Sequence, residues 1–429
     1  MRRYFCALFA AAALAANPVD AQSPPNRVLG AGGAQPNALL RDSAVAPGGA
    51  LLFFTSTANN LGATAGAALN VYAVDLDGGA IRLVSRNATS GSVADGNCFL
   101  PVASGDGRYV AFESLAGNLG PAAAGLQILR VDRATGSVAR ASESASGTAG
   151  NDQSRFPSIS GDGRYVAFQS FANALVAGDG NDRADIFLKD FATGTLEVIS
   201  RNASGAFADD NAAALSNQAL SADARYVVFA SPASNMVTGQ AGGVQQVYLR
   251  DRTNGTTALV SRNNGGTAGT SPSDQAAISA DGRYVVFRSF ATNLVAGATS
   301  RVFQLDRTTG ALIAIPRPLT PNATACRAPK VSNAGDVAMI CDVAAPTPAQ
   351  AFRWPAAGGA PVLLSRDAQN ATTPGNGASG GGIGISADGG IVAFESQAAN
   401  LVTGDTNGVA DLFWYGTAAH DRLFFDDFE

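Results

Sequence analysis

The chain has 429 residues, of which 46% are hydrophobic and 15% are charged, with 49 glycines and a net charge of −5. Lysine occurs only at Lys189 and Lys330, and the arginines are not clustered. This argues against nucleic-acid binding, because phosphate contacts need concentrated positive charge. The length alone would suggest two or three domains.

The first 21 residues have the pattern of a secretory signal peptide, with Arg2 and Arg3 before an apolar run over residues 5–16. Small residues at positions 19 and 21 predict cleavage before Gln22. The alternative is a short membrane anchor, but the apolar run is short for a bilayer span. The arginine pair also partly matches a twin-arginine signal, and we favour the general secretory route. We therefore expect an exported chain, periplasmic, cell-surface or secreted, with no membrane span.

Residues 22–37 are rich in Pro, Gly, Ala and Asn, and we expect a flexible lead-in there. A repeat follows, most clearly as Ser-Ala-Asp-Gly-Arg-Tyr-Val-Val-Phe at 279–287. Asp-Gly favours a tight turn, and the β-branched and aromatic run after it favours a strand. The motif recurs at 104–112, 160–168, 221–229 and 386–394, and more weakly at 46–54 and 332–340.

The third repeat shows the whole unit. It predicts four strands, named A to D, over residues 156–160, 165–170, 185–191 and 195–200. Successive turns lie 53 to 61 residues apart, and no helical periodicity intervenes. Seven units of four short strands predict an all-β fold, a seven-bladed β-propeller over residues 38–425. A two-sheet sandwich is the alternative, but it would not need so regular a spacing.

In the last repeat, residues 422–425 fall where strand D is expected. All seven blades would then close without a strand from the other terminus, leaving residues 426–429 as a tail. The alternative is that residues 421–429 form a detached acidic and aromatic tail.

Three cysteines follow the predicted cleavage site. Cys326 and Cys341 lie almost symmetrically about the turn of the sixth repeat, so they would face each other across adjacent strands. We predict a Cys326–Cys341 disulfide, which suits an oxidising compartment. Cys98 is expected to be a free, buried thiol, because Glu113 occupies its partner position.

Strand polarity separates two faces of the predicted propeller. The A–B and C–D turns are short and share one face, whereas the B–C and D–A connections are long and share the other. Binding residues concentrate on long loops over a rigid scaffold. We therefore expect any ligand on the long-loop face, near the channel mouth.

Two B–C loops carry an Asp-x-Asn-x-x-x-Asp pattern, whose alternating oxygens resemble those of calcium loops. The predicted Ca²⁺ ligands are Asp179, Asn181 and Asp185 in the third repeat and Asp405, Asn407 and Asp411 in the seventh. The alternative is Asx-turn chemistry that orders these loops. No other cofactor is predicted.

Evidence for catalysis is weak. Turn aspartates recur from repeat to repeat, whereas catalytic residues are usually unique. A Gly-x-Ser-x-Gly match at 377–381 lies in a glycine-rich loop, and His420 is the only histidine. We predict no catalytic residue. An enzyme with a channel site would need unique inward-facing groups on A strands, and the candidates are Arg41, Arg155, Arg327 and Lys330.

The repeated Ser-x-Asp-Gly-Arg-Tyr-Val-Ala-Phe, with a downstream Asp-Ile-Phe-Leu-x-Asp and Thr-Gly, resembles the TolB-type, WD-like propeller repeat of exported bacterial proteins. The resemblance covers residues 38–425, with Ala or Gly in place of the usual Pro after Ser. It implies an interaction platform or the front domain of a peptidase, but the lead-in is too short for TolB's additional domain. We expect a monomeric, non-enzymatic scaffold that binds an unknown protein or glycan. The alternatives are a calcium-stabilised adhesion module or a lyase- or glycosidase-type propeller enzyme.

Overall fold

A computed structural model describes residues 24–62, 67–120, 125–212, 215–238 and 242–416. Over these ranges the chain forms 27 β-strands and a single 3-10 turn, Ala31–Gly33. No helix in the described ranges is long and apolar enough to cross a bilayer. The predicted signal peptide, residues 1–21, lies outside them.

The strands form seven antiparallel sheets, of which six have four strands ordered A to D from the central channel outward and one, in the fourth blade, has three. Blades one to three comprise β2 (Leu40–Val45), β3 (Leu51–Ser56), β4 (Asn70–Asp75), β5 (Ile81–Leu83); β6 (Cys98–Ala103), β7 (Tyr109–Ser114), β8 (Gln127–Asp132), β9 (Val138–Arg140); and β10 (Ser154–Ile159), β11 (Tyr165–Ser170), β12 (Asp185–Asp190), β13 (Leu196–Val198). Blades four to seven comprise β14 (Tyr226–Ser231), β15 (Gln246–Asp251), β16 (Thr256–Leu259); β17 (Ser273–Ile278), β18 (Tyr284–Ser289), β19 (Val302–Asp306), β20 (Leu312–Ala314); β21 (Ala323–Val331), β22 (Val337–Val343), β23 (Gln350–Trp354), β24 (Val362–Leu363); and β25 (Ser379–Ile385), β26 (Ile391–Ser396), β27 (Asp411–Gly416), β1 (Asn26–Arg27). The predicted seven-bladed propeller is confirmed.

The fourth blade has an irregular inner segment. Among its described residues, only Leu220 pairs with the next strand, opposite Val227, and Val228 N–H donates to Ala219 O at 2.9 Å. Strands β14, β15 and β16 form the rest of this blade. The segment at the place of strand A in this blade therefore does not form a regular ladder of hydrogen bonds with strand B.

The seventh blade is completed by the amino-terminal segment. Asn26 pairs with Trp414 and Arg27 with Phe413, so β1 takes the outermost position beside β27. This corrects the expectation that the ring closes without a strand from the other terminus. Two residues are too few to give a strand signal in sequence, which is why the lead-in was expected to be flexible. The proposed strand at 422–425 and the tail at 426–429 lie outside the described residues.

The core of six of the seven blades is built on a phenylalanine of strand B, whose place Met339 takes in the sixth blade. In five blades this phenylalanine stacks on an aromatic ring of strand C, with ring centroids 5.7 to 5.9 Å apart. The pairs are Phe54–Tyr72, Phe168–Phe187, Phe229–Tyr248, Phe287–Phe303 and Phe394–Phe413. All are buried, and such offset stacks add to the free energy gained from apolar burial.

The A–B turn explains the repeated motif. Ser279 Oγ donates to Asp281 Oδ1 at 2.5 Å and accepts from Tyr284 N–H at 2.9 Å, so serine and aspartate together close the turn. Gly282 adopts φ +75°, and a Cβ there would lie 2.7 Å from Tyr226 Cδ2 of the preceding blade. The glycine therefore serves both the turn conformation and the contact between blades.

The cysteines follow the prediction in pairing but not in register. Cys326 and Cys341 are directly opposed and form a disulfide, with Cα atoms 4.0 Å apart. Cys98 is free and buried, but it lies opposite Ser114 and not Glu113. The sixth-blade hairpin pairs Val331 with Val337, one residue tighter than Ala103 with Val110 in the second blade. Equal offsets from the turn therefore do not mark equivalent partners.

Candidate functional site: the channel mouth and the long-loop face

The strand pairing separates the two faces as predicted. In the fifth blade the Asp281–Gly282 turn joins β17 to β18, whereas residues 291–300 lie between the other end of β18 and β19. The turn and the loop are therefore on opposite faces. The inner strands begin on the long-loop face, so the channel mouth there is framed by the B–C and D–A connections.

A recurring asparagine fixes the long loops. In the second blade, Asn118 Oδ1 accepts from Asp95 N–H at 3.2 Å, and its Nδ2 donates to Val93 O at 2.8 Å. The equivalent residues, which likewise accept a backbone N–H and donate a side-chain hydrogen bond, are Asn60, Asn235, Asn293 and Asn400. Each ties a B–C loop to a neighbouring connection, which makes this face a fixed surface.

The recurring acids of the short-turn face are structural. Arg108 donates to both oxygens of Asp132, at 3.0 and 2.8 Å, and this holds the pKa of Asp132 at about 2. The equivalent pairs are Arg164–Asp190, Arg225–Asp251 and Arg283–Asp306. Because the same bidentate pair recurs around the ring, these carboxylates stabilise turns and are not a reaction centre.

The mouth on the long-loop face is a cavity of about 480 Å³ to which every blade contributes. It is framed by bulges in the inner strands, where the backbone turns to a positive φ. The bulge residues with positive φ are Asp42, Leu100, Phe156, Gln275 and Ala328. Deeper in the channel, apolar side chains leave a space of only about 60 Å³. The mouth is therefore roomy enough for a small ligand, and the lower channel is not.

The boundary between these spaces lies beside a cross-channel contact. Gln218, from the irregular inner segment of the fourth blade, hydrogen bonds through its side chain to the backbone of Val331 in the sixth. The residues just before these two, Asn217 and Lys330, line both the mouth cavity and the narrow part. Lys330 was a candidate from the sequence, whereas Asn217 and Gln218 were not, because they carry no repeat signal.

The four channel candidates from the sequence do not come together. Arg41, Arg155 and Arg327 share one position at the outer end of the inner strand, and their side chains stay partly in solvent. Arg155 binds Gln153, and Arg327 pairs with Asp342. Lys330 alone lines the cavity, with 9% of its surface exposed. Ser379, from the Gly-x-Ser-x-Gly match, lies buried in β25 and donates to Ser396 Oγ at 3.0 Å.

A set of exposed apolar side chains was not anticipated. Leu115, Phe171 and Phe290 directly follow the last serine of strand B, in the second, third and fifth blades, with 51%, 48% and 41% of their surface exposed. Pro232, which is half-buried, stands at this position in the fourth blade. The remaining blades carry Thr57, Asp342 and Gln397 there. Four consecutive blades thus form an apolar arc, defined by Leu115, Phe171, Pro232 and Phe290, on the long-loop face. Comparing this position, directly after the last serine of strand B, across the seven repeats would have revealed this arc in the sequence.

The third-blade calcium candidates interact with one another. Asn181 Nδ2 donates to Asp185 Oδ2 at 2.9 Å, and its Oδ1 accepts from Arg183 N–H at 3.0 Å, which is an Asx turn. Ser200 Oγ donates to Asp185 Oδ1 at 2.5 Å. Burial, with the Asp185 charge, raises the pKa of Asp179 to about 6.

The seventh-blade candidates surround an arginine. Arg27 Nη1 lies 3.2 Å from Asp405 Oδ1 and 3.4 Å from Asp411 Oδ2, and Asn407 Nδ2 donates to Asp411 at 3.0 Å. Burial raises the pKa of Asp411 to about 6. The guanidinium of Arg27, in β1, thus provides positive charge between the Asp405 and Asp411 carboxylates. Over the described residues, no three Asp, Glu, His or Cys side chains are grouped so that they could hold a metal.

Comparison with solved structures supports the fold. Oligogalacturonate lyase in complex with manganese is 14% identical and has a TM-score of 0.55, with 93% of this chain and 98% of that chain covered. The propeller domain of the Trilobed protease from Pyrococcus furiosus, which has an open velcro topology, is 14% identical at a TM-score of 0.53, with 88% and 93% covered. In the present chain β1 instead completes the last blade.

TolB from Acinetobacter baumannii also matches, at 18% identity and a TM-score of 0.41. The match covers 74% of this chain and 60% of that one. No protein-family model and no curated protein matches the sequence. The chain therefore shares the propeller fold with the protease propeller and with the lyase, and these likenesses extend to the fold alone.

Proposed function

We propose that the protein is an exported, non-enzymatic propeller that binds a partner protein on its long-loop face. The observation that carries this proposal is the apolar arc of Leu115, Phe171, Pro232 and Phe290. These residues are adjacent around the ring and share one structural position. Grouped apolar exposure of this kind is typical of interaction surfaces, whereas single exposed apolar residues are not informative.

The arc is held in a fixed conformation. The backbone N–H groups of Leu115, Phe171 and Phe290 donate to the carbonyl just before strand A of the same blade, at 2.9, 3.1 and 2.9 Å. The preceding serine of each also accepts the backbone N–H two residues further on. A preorganised surface loses little conformational entropy on binding, which favours affinity.

The chemistry of the arc favours a protein over a glycan. Sugars stack on open aromatic faces, but the Phe290 ring has Arg288 and Arg301 at 5.1 and 4.5 Å from its centroid. Leu115 and Pro232 offer no aromatic face. Aliphatic and aromatic side chains flanked by arginine are the usual anchors of protein interfaces.

Export is supported by two features. The predicted signal peptide would direct the chain out of the cytoplasm, and the Cys326–Cys341 disulfide suits an oxidising compartment. A periplasmic, cell-surface or secreted location fits both.

The test is capture of partners from the exported fraction by cross-linking. Leu115→Ser, Phe171→Ser and Phe290→Ser are combined in one variant. The matched control is Ile313→Ser with Val362→Ser, which removes exposed apolar residues from the outer strands β20 and β24. We expect one partner to be captured by the wild type and the control but lost from the arc variant. Equal capture by the wild type, the arc variant and the control would contradict the proposal. Binding on a glycan array that is lost only in the arc variant would show that the ligand of the arc is a glycan and not a protein.

A calcium-stabilised module is the second candidate, and the contrast between two loops favours it. In the seventh blade Arg27 sits between Asp405 and Asp411. In the third blade the equivalent Asp179 and Asp185 form no ion pair within the described residues, and Arg201 acts on them only at longer range. A Ca²⁺ ion held by Asp179, Asn181 and Asp185 would supply the positive charge that Arg27 supplies elsewhere.

Thermal melts with excess Ca²⁺ and with chelator test this candidate. A ligand at 100 times its dissociation constant stabilises by about 2.7 kcal/mol, a readily measured shift. We expect the shift to disappear in Asp179→Ala and to persist in Asp405→Ala. The absence of any shift in the wild type would leave both loops as Asx turns.

A further inference from the structure

The mouth cavity is lined by polar groups that have no hydrogen-bond partner within the described residues. Lys330 Nζ forms no hydrogen bond or ion pair within the described residues, and only 9% of the surface of this residue is exposed. Asn217 Oδ1 is buried and also has no hydrogen-bond partner there. Buried polar groups are nearly always paired, because an unpaired one costs free energy. The Asn217 oxygen is such a group, and Lys330, which lines the same cavity, is an ammonium with no ion-pair partner in the described ranges; together they point to a ligand.

Lys330 is unique in the repeat. It stands two residues before the turn serine, and the other blades carry small side chains at that place. These are Ala44, Val102, Ser158, Ala219, Ala277 and Gly384. The turn acids and loop asparagines, which hold turns and loops, recur from blade to blade, whereas Lys330 does not. A single lysine among small residues, facing the channel, has no such structural role.

The acids at the mouth are already engaged. Asp42 accepts from Thr55 Oγ1 at 2.9 Å and lies 3.9 Å from Arg41 Nε. Asp274 pairs with Arg288 at 2.5 Å. Lys330 is therefore the unbalanced charge of the cavity, and burial alone lowers the pKa of its ammonium to about 7. A bound anion would stabilise the charged form.

The two orphan groups differ in what they need. An ammonium has three donors and no acceptor, so Lys330 needs an anionic oxygen, whereas Asn217 Oδ1 needs a donor such as a hydroxyl. Both flank the Gln218–Val331 contact, at the floor of a cavity whose 480 Å³ volume lies in the range of small-molecule sites. We propose that the channel mouth binds a small hydroxycarboxylate, with its carboxylate on Lys330 and a hydroxyl on Asn217.

The lysine content of the chain makes a direct test possible. Only Lys189 and Lys330 are present, so the full chain labelled at lysine Cε gives two assignable NMR signals. Lys189 is the internal control, because it is already paired with Glu143 at 3.2 Å. The probes are D-gluconate and D-glucuronate, with D-glucitol and acetate lacking the acid and the hydroxyls respectively.

We expect saturating D-gluconate or D-glucuronate to raise the titration midpoint of Lys330 by about one pH unit or more and to leave Lys189 unchanged, since an adjacent opposite charge favours the ammonium. Asn217→Ala should weaken binding about tenfold, as expected for one lost hydrogen bond. Lys330→Met should abolish it while the chain stays folded. No response of Lys330 to either acid, or an equal response to acetate or D-glucitol, would overturn the proposal.

Discussion

Gln218 in the fourth blade and Val331 in the sixth are joined by two hydrogen bonds, although 113 residues separate them in the chain. Gln218 Nε2 donates to Val331 O at 2.7 Å, and Val331 N–H donates to Gln218 Oε1 at 3.0 Å. Ile278 N–H of the fifth blade donates to Gln218 O at 2.8 Å. One residue of the irregular inner segment thus connects the inner strands of three blades.

Replacing this glutamine should destabilise the ring. Gln218→Met keeps a similar length but leaves the N–H and C=O of buried Val331 without those partners, and we expect a loss of about 2 kcal/mol. Gln275→Met is the graded control, because Gln275 accepts a single inter-blade hydrogen bond, from Ala328 N–H at 2.8 Å. The melting temperature of Gln275→Met should fall less than that of Gln218→Met. Equal shifts for the two variants would show that the cross-channel pair adds nothing.

The residues that sequence analysis recovered are those that recur. The Ser-x-Asp-Gly turn, the loop asparagines and the opposed Cys326 and Cys341 depend on local geometry repeated in each blade, so comparison of repeats reveals them. Gln218 acts across the channel, and the two-residue strand β1 acts across the ring closure. Neither contact leaves a local periodicity. The partner of Cys98 was missed because one hairpin is a residue tighter, which changes the register without changing the motif.

The disulfide replaces a hydrogen bond that other blades use at the same place. Ser154–Ser170, Ser273–Ser289 and Ser379–Ser396 join strands A and B through their hydroxyls at 2.8 to 3.0 Å. Cys326→Ser with Cys341→Ser should therefore fold with a serine pair in the sixth blade. We expect it to lose about 3 kcal/mol, the chain-entropy contribution of a loop of about 15 residues, as measured by thermal or denaturant unfolding. A stability equal to that of the wild type would contradict this.

Two glycines of the fifth blade separate backbone strain from packing. Gly282 and Gly310 share φ +75°, but a Cβ on Gly282 would press on Tyr226, whereas Gly310 has open space around it. Gly310→Ala should cost about 1–2 kcal/mol for the left-handed conformation. Gly282→Ala should cost clearly more, because the contact with the preceding blade must also shift. Comparable unfolding free energies for the two variants would exclude a packing role.

Glu395 should make stability depend on pH. It is buried, accepts from Ser43 N–H at 2.8 Å, and burial raises its pKa to about 7 from 4.5. The folded state therefore binds more protons than the unfolded state between these pKa values, so this contribution to stability falls as pH rises from about 4.5 to 7. Glu395→Gln, which copies Gln169 of the third blade, should remove that slope and add about 1–3 kcal/mol at pH 8. An unchanged pH profile of unfolding would refute this.

The two lysines should respond in opposite directions to the same substitution. The folded pKa of Lys330, about 7, lies below its unfolded value of 10.5, so its buried ammonium destabilises the fold fully below pH 7 and progressively less up to pH 10.5. Lys330→Met should therefore stabilise the free protein, on the order of 3 kcal/mol at pH 7, with the gain vanishing near pH 10.5. Lys189→Met should destabilise it by about 1–3 kcal/mol, because Lys189 pairs with Glu143 and donates to Gly194 O at 3.0 Å. Denaturant unfolding of both variants across this pH range measures the two stability changes and their signs. A loss of stability in Lys330→Met would mean that the lysine is part of the framework, whereas a gain would mark a residue kept at a cost to stability, as binding residues often are.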